Sequence, residues 1–200
     1  MPTLLSVPIT LSTMRTMGGV PVASADLLLH PVRLRVVQAF LGDRTLTTAD
    51  LRSELPDVPV ATLYRHVGVL ADAGVLAVVG ERKVRGAAER TYRLDIAAAS
   101  LGPGDAAAMT AEDHRRAFTT FAAALMADFD RYVARSAPDG GAPDLAGDRV
   151  GYRQAAVWVT DEEFDAMAAD LAEVVKARMA NRPDGTRRRR LVTTVHLPAD

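Results

Sequence analysis

Basic side chains are concentrated between positions 81 and 93, where five cations accompany only two carboxylates and leave a local net charge of +3. The whole chain carries a net charge of −1, so this cluster differs clearly from its background. At physiological ionic strength, screening confines a charge to about 8 Å, and a nearby polyanion therefore responds to the cluster rather than to the whole chain. We interpret four of these residues as phosphate contacts: Arg82, Lys83, Arg85 and Arg90.

A second set of residues lies on a predicted helix between positions 60 and 73. At 100° per residue, three apolar side chains point inward: Leu63, Val67 and Leu70. The other side carries the candidates for contact with nucleic-acid bases: Ala61, Thr62, Tyr64 and Arg65. Small, uncharged neighbours let a helix enter a groove closely, and Arg65 would then reach O6 and N7 of guanine or a phosphate. The alternative for this helix alone is an ordinary amphipathic helix with a solvated arginine.

Other kinds of reactive site are poorly represented. With no cysteine, the chain cannot have disulfides, thiol catalysis or thiolate metal sites. The four histidines are scattered, so we expect no metal site and no cofactor, and we expect His66 to be packed or hydrogen-bonded in the core. Acidic residues 161–163 are explained by capping at a helix start. The G-x-S-x-G, P-loop, G-x-G-x-x-G and H-E-x-x-H motifs do not occur, and we expect no enzymatic activity.

The elements that would position these residues follow one another closely. Helical periodicity runs from Asp26 to about Gly42, and a short capped helix begins after Thr47 and must stop before Pro56. The base-contact helix, from about Val60 to Ala73, is closed by Gly74. Two β-rich runs, 75–79 and 90–94, are joined by the basic segment as a hairpin loop. This order predicts a winged helix-turn-helix domain within an α+β chain.

Four regions are expected along the chain. Residues 1–24 form a flexible arm, 25–95 the winged helix-turn-helix domain, 105–137 a long dimerisation helix, and 148–200 a β-α-β unit for dimer or effector contacts. In that last unit, strands at 149–159 and 187–196 flank a helix from Asp161 to about Asn181. The apolar stripe predicted to pair two copies of the long helix is Phe118, Phe121, Leu125, Phe129 and Tyr132.

Three segments together resemble the winged helix-turn-helix domain of ArsR-type bacterial transcription regulators. They are LHPVRLRVV at 29–37, TTADL at 47–51 and ATLYRHVGVLADAGVL at 61–76, and the resemblance extends from Asp26 to Leu94. It implies a homodimeric regulator on a palindromic DNA site, with base-contact roles for Ala61, Thr62, Tyr64 and Arg65. The T-L-Y-R core is also similar to PadR-type regulators.

The chain departs from metal-sensing members of the ArsR type. It lacks their cysteine pair and their histidine–carboxylate set, and it continues for about 100 residues after the wing. We therefore expect a cytoplasmic homodimer that binds double-stranded DNA without metal control and has no membrane association. Its terminal β-α-β unit would either buttress the long helix or bind a small organic effector. The alternative is a winged-helix module that binds proteins and not DNA.

Overall fold

The computed structural model describes residues 25–84, 87–100 and 106–199. Within these described residues the chain divides into two compact units, one within residues 25–138 and one within residues 139–199. The predicted N-terminal arm, residues 1–24, lies outside the described residues, as does Arg85. Among the described residues, no helix is long and apolar enough to cross a membrane.

Two helices replace the single helix predicted from Asp26 to Gly42: α1 (Ala25–Leu28) and α2 (Pro31–Ala39). The prediction of one helix is wrong because a residue that precedes proline is forced out of the helical region. His30 accordingly has ψ 126° and caps α2, its ring nitrogen Nδ1 accepting the N–H of Val32 at 3.2 Å. The break sets the direction in which α2 enters the domain.

The next two helices, α3 (Thr48–Glu54) and α4 (Val60–Asp72), begin and end as the sequence predicts. Thr47 Oγ1 accepts the N–H of Asp50 at 3.1 Å, and the Asp50 carboxylate accepts the N–H of Thr47 at 2.8 Å, which completes a capping box. α4 is followed by Gly74 at φ 75°, a backbone conformation that favours glycine. The helix-turn-helix is therefore specified locally.

A three-stranded antiparallel sheet follows, with strand order β1-β3-β2. β2 (Leu76–Val84) and β3 (Ala87–Leu94) form the wing, and β1 (Thr45–Thr47) pairs with β3. β1 was not predicted. Residues 80–89 are predicted as a loop, but Arg82 and Lys83 lie within β2, whereas Arg90 lies within a strand as predicted. Cross-strand pairing extends the hairpin past the apolar residues that gave the sequence its strand pattern.

One apolar core lies beneath the helices and the sheet. Its largest fully buried side chains come from the residue after α2, from α3 and the residue after it, from α4 and from β2: Phe40, Leu51, Leu55, Leu63, Leu70 and Leu76. Leu63, Val67 and Leu70 are buried as the helical periodicity predicts. Truncating one such side chain to alanine lowers the free energy of unfolding by about 2 to 5 kcal/mol. Because three of these anchors lie on one side of α4, the core fixes the orientation of this helix.

The long helix, α5 (Ala111–Ser136), starts at a capping box between Thr110 and Asp113 and contacts α2. Its buried residues are small: Ala117, Thr120 and Ala124. Three members of the predicted dimerisation stripe lie instead in solvent, with Phe118 50%, Leu125 41% and Phe129 41% exposed. α5 therefore presents its aromatic side away from the core of the described unit.

The unit that contains residues 139–199 has one helix, α6 (Asp161–Met179), capped by Thr160 and Glu163 as predicted. The predicted strands at 149–159 and 187–196 are wrong, because neither segment forms a strand and no backbone hydrogen bond joins the two described segments. Alternating apolar residues form a strand only where a neighbouring strand accepts their hydrogen bonds. Arg188 and Arg190 instead contact Asp148 through their side chains.

A bidentate ion pair joins α2 to the turn between α3 and α4. Nη1 and Nη2 of Arg35 each donate to one oxygen of the Asp57 carboxylate at 2.7 Å. The arginine is largely buried and lowers the pKa of Asp57, while the hydrogen bonds raise the pKa of Arg35. The pair holds the turn on which the orientation of α4 depends.

We expect Asp57→Asn to lower the free energy of unfolding by about 0.5 to 1 kcal/mol near pH 7, because half of this pair is solvent-exposed. A carboxyl with a lowered pKa stabilises the fold above its ordinary pKa and loses that effect as pH falls through the lowered value. Urea unfolding should show wild type and variant converging at acidic pH. Asp139→Asn, at an exposed site, is the control, and an equal loss there would contradict the assignment.

Candidate nucleic-acid interface

The exposed side of α4 carries the four residues predicted to contact bases, which we call the recognition face: Ala61, Thr62, Tyr64 and Arg65. Ala61 and Arg65 are exposed, Tyr64 is 57% exposed and Thr62 is half-buried. Because Leu63, Val67 and Leu70 anchor the opposite side, these side chains point away from the core. The structure brings the four together on one surface of one helix.

Arg65 is the charged member of this face. Among the described side chains its guanidinium has no carboxylate partner, and its Nη2 lies 3.3 Å from Nε2 of His66. One turn further along α4, a Cβ added at Gly68 would meet no atom within 4 Å. The surface beside Arg65 is thus open, as close approach to a groove requires.

Two of the basic side chains of the wing form ion pairs across the hairpin, which the sequence does not predict. The strand register places Arg82 opposite Glu89 and Arg90 opposite Glu81, and each arginine forms an ion pair, at 2.7 Å and 3.2 Å respectively. Arg82 and Arg90 are therefore partly neutralised within the hairpin, although both side chains stay exposed. Hydrogen bonding to Glu81 raises the pKa of Arg90.

Lys83, like Arg93 further along the hairpin, has no ion pair among the described side chains. It follows Arg82 along β2 and is exposed. Since successive strand residues face opposite sides of a sheet, Lys83 and Arg82 project from different faces of the hairpin. An unpaired ammonium releases condensed counterions from DNA more readily than a guanidinium that must first leave a carboxylate.

The sequence predicts only part of a contact between two histidines, the buried His66 on α4 and the half-buried His30. The sequence predicted that His66 would be packed or hydrogen-bonded, and it is 5% exposed, with its ring centroid 4.3 Å from that of His30. The role of His30 as the cap of α2 was not predicted. Pro31 is the first residue of α2, and proline favours that position in a helix. The residue before it, His30, could therefore have been predicted as the cap.

The match to known families falls on this region. Residues 28–79 match a model described as a helix-turn-helix domain. They span α2, α3 and α4 and reach into β2. The chain therefore contains a helix-turn-helix domain, which supports a DNA-binding transcription regulator as its class. A search of curated proteins found no match.

Within the described chain Lys83 has no ion pair whereas Arg82 pairs with Glu89, so we expect substitutions of Lys83 and Glu89 to change DNA affinity in opposite directions. Lys83→Ala should weaken binding about equally on all DNA sequences and reduce by about one the slope of log affinity against log salt. Glu89→Gln should strengthen non-specific binding, because it frees Arg82 and removes a charge that repels phosphate. Anisotropy titrations of a random-sequence duplex at several salt concentrations measure both, and equal effects of the same sign would contradict this account of the wing.

Proposed function

We propose that the chain is a sequence-specific transcription regulator of the ArsR-like winged-helix class that acts as a homodimer on a palindromic operator, without metal control. The observation that carries the proposal is the exposed Arg65, which lies among small residues on α4 and has no carboxylate partner among the described side chains. A guanidinium can donate two parallel hydrogen bonds to O6 and N7 of guanine. A PadR-like regulator is the alternative class with the same T-L-Y-R core.

In this proposal α4 enters the major groove and the wing lies against the adjacent backbone. Arg65 reads a guanine, while Ala61, Thr62 and Tyr64 contact neighbouring bases or phosphates. Lys83 and Arg85 bind phosphates directly, and Arg82 and Arg90 do so by exchanging their glutamate partners for DNA. The near-neutral total charge gives weak non-specific affinity, so two linked half-sites are needed for tight binding.

The α5 stripe supports the homodimer. Phe118, Leu125 and Tyr132 recur every seven residues, and Phe121 follows Phe118 by three, which is the spacing of a coiled-coil seam. Aromatic neighbours on the stripe already contact each other, with ring centroids 6.2 Å apart for Phe118 and Phe121. A second copy of α5 would bury Phe118 and Leu125, which one chain leaves exposed.

The unit with residues 139–199 supports the same conclusion independently. None of these described residues is buried, and its large apolar side chains include Trp158 at 95% and Tyr152 at 81% exposed. A segment of this size cannot stabilise its fold without burying apolar surface. We propose that the second copy of the chain covers it. A small organic effector for this unit stays a prediction of the sequence.

Trp158 reports on this contact directly, because it is the single tryptophan of the chain. If a second copy covers it, its fluorescence emission should move to shorter wavelength as protein concentration rises through the dimerisation range. Light scattering on the same samples gives the molecular mass. Red-shifted, solvent-like emission from a sample that is fully dimeric would contradict burial of Trp158 by the partner.

Selection of duplexes from a random pool by the purified full-length protein tests the proposed function. We expect an enriched inverted repeat, with half-site centres about 10 bp, or a multiple of this, apart. Enrichment of no sequence at low salt, while the protein is dimeric, would contradict the proposal. That outcome would favour the alternative of a winged-helix module that binds proteins.

A further inference from the structure

The side chain of His66 is a buried polar group in direct contact with the residue proposed to read DNA. It belongs to α4, is 5% exposed, and packs against His30 with the two rings tilted by 41°. Its Nε2 lies 3.3 Å from Nη2 of Arg65, whereas its Nδ1 is buried and has no hydrogen-bond partner in the described part of the chain. A buried nitrogen without a partner costs free energy, so this arrangement calls for a compensating role.

The contact fixes the protonation of the ring. A guanidinium can only donate, so Nε2 of His66 must accept, and a neutral ring must then carry its proton on Nδ1. Burial, assisted by His30, Arg65 and Arg33, lowers the pKa of His66 below its ordinary value. The neutral ring is thereby favoured near pH 7, and it has the acceptor that Arg65 uses.

His66 is itself held from the other side. His30 cannot move freely, because its Nδ1 caps α2 through the N–H of Val32 and its backbone precedes Pro31. A continuous set of contacts thus leads from the break before α2, through the His30 ring and the His66 ring, to the guanidinium of Arg65. Each step restricts the next group.

We infer that His66 is a positioning residue that orients Arg65 for base contact and so helps set the sequence preference of the protein. This inference rests on the proposed function. An exposed arginine loses rotamer freedom when it binds a base, and holding it beforehand reduces that loss. One of its five N–H donors is used by His66, and the remaining donors are enough for a bidentate contact with guanine.

A double-mutant cycle on the selected operator tests the inference. His66→Phe keeps an aromatic ring against His30 but removes the acceptor, and it should weaken operator binding about three- to tenfold. It should also reduce the preference for guanine at the position that Arg65 reads. In the Arg65→Ala background the same change should have no effect, because there is no guanidinium left to orient. His66→Gln retains a side-chain acceptor and should restore most of the affinity.

Val67→Ala, at the next buried position of α4, is the matched control. It should lower thermal stability, and any change in DNA affinity should be the same in both backgrounds. All titrations are made below the unfolding range of every variant. NMR of the histidine ring nitrogens in the free wild-type protein should show the proton of His66 on Nδ1.

The results of these experiments distinguish a failure of the positioning role of His66 from a failure of the proposed function. Three results would each overturn the positioning role while leaving the proposed function intact. The first is a His66→Phe effect of equal size with and without Arg65, and the second is a folded His66→Gln protein that does not regain affinity. The third is a proton on Nε2 of His66. Absence of any preferred sequence for the wild-type protein would overturn the proposed function, and the inference with it.

Discussion

Arg65→Ala is expected to weaken binding to the operator by about 10- to 100-fold per half-site and to relax the preference at the base pair that Arg65 reads. The reason is that its bidentate hydrogen bonds to guanine have no substitute, since the other members of the recognition face, Ala61, Thr62 and Tyr64, carry no charge. Titration of the variant against operators with single base changes measures affinity and preference together.

A charge-matched control separates base contact from bulk charge. Arg115→Ala removes one positive charge from an exposed site on α5, where the arginine pairs with Glu112. It should leave both operator affinity and sequence preference almost unchanged. Operator binding by Arg65→Ala that keeps its affinity and its full preference would contradict the role assigned to Arg65, and then the recognition face would have to lie elsewhere.

Leu125→Glu is expected to separate the two copies of the chain. Leu125 lies near the middle of the α5 stripe, and burying a carboxylate there against another apolar stripe is strongly unfavourable. The protein should become monomeric by light scattering, and affinity for the full palindrome should fall by about 100- to 10,000-fold, because the second half-site no longer binds intramolecularly. Affinity for an isolated half-site should stay the same.

Ala123→Glu is the control for this variant. Ala123 is exposed on α5 but faces away from the stripe, at about 160° from Leu125 if each residue turns the helix by 100°. It introduces the same charge in the same helix and should leave the dimer and its DNA affinity intact. A Leu125→Glu protein that stays dimeric would show that α5 does not pair the copies, and dimerisation would then rest on residues 139–199.

The local signals in the sequence were sufficient for most of the helices. Capping boxes at Thr47, Thr110 and Thr160, the stop before Pro56 and the turn at Gly74 each depend on residues a few positions apart, and the structure confirms all of them. The buried side of α4 followed from helical periodicity in the same way. These features require no knowledge of distant parts of the chain.

The features that the sequence missed depend on distant partners. β1 is a strand because residues 91–93 pair with it, and Arg82 is neutralised because the hairpin register places Glu89 opposite. The strands predicted on either side of α6 are absent from the described chain because no strand pairs with them within it. The contact between His30 and His66 joins two helices, and periodicity within either helix does not show it.

The central claim is that this chain distinguishes one DNA sequence from others, and competition binding at about 150 mM salt tests it most directly. The wild-type protein is bound to the selected operator and challenged with a scrambled duplex of equal length and composition. We predict a preference of at least about 1,000-fold for the operator, in the range of specific regulators. Equal competition by the two duplexes would contradict the account.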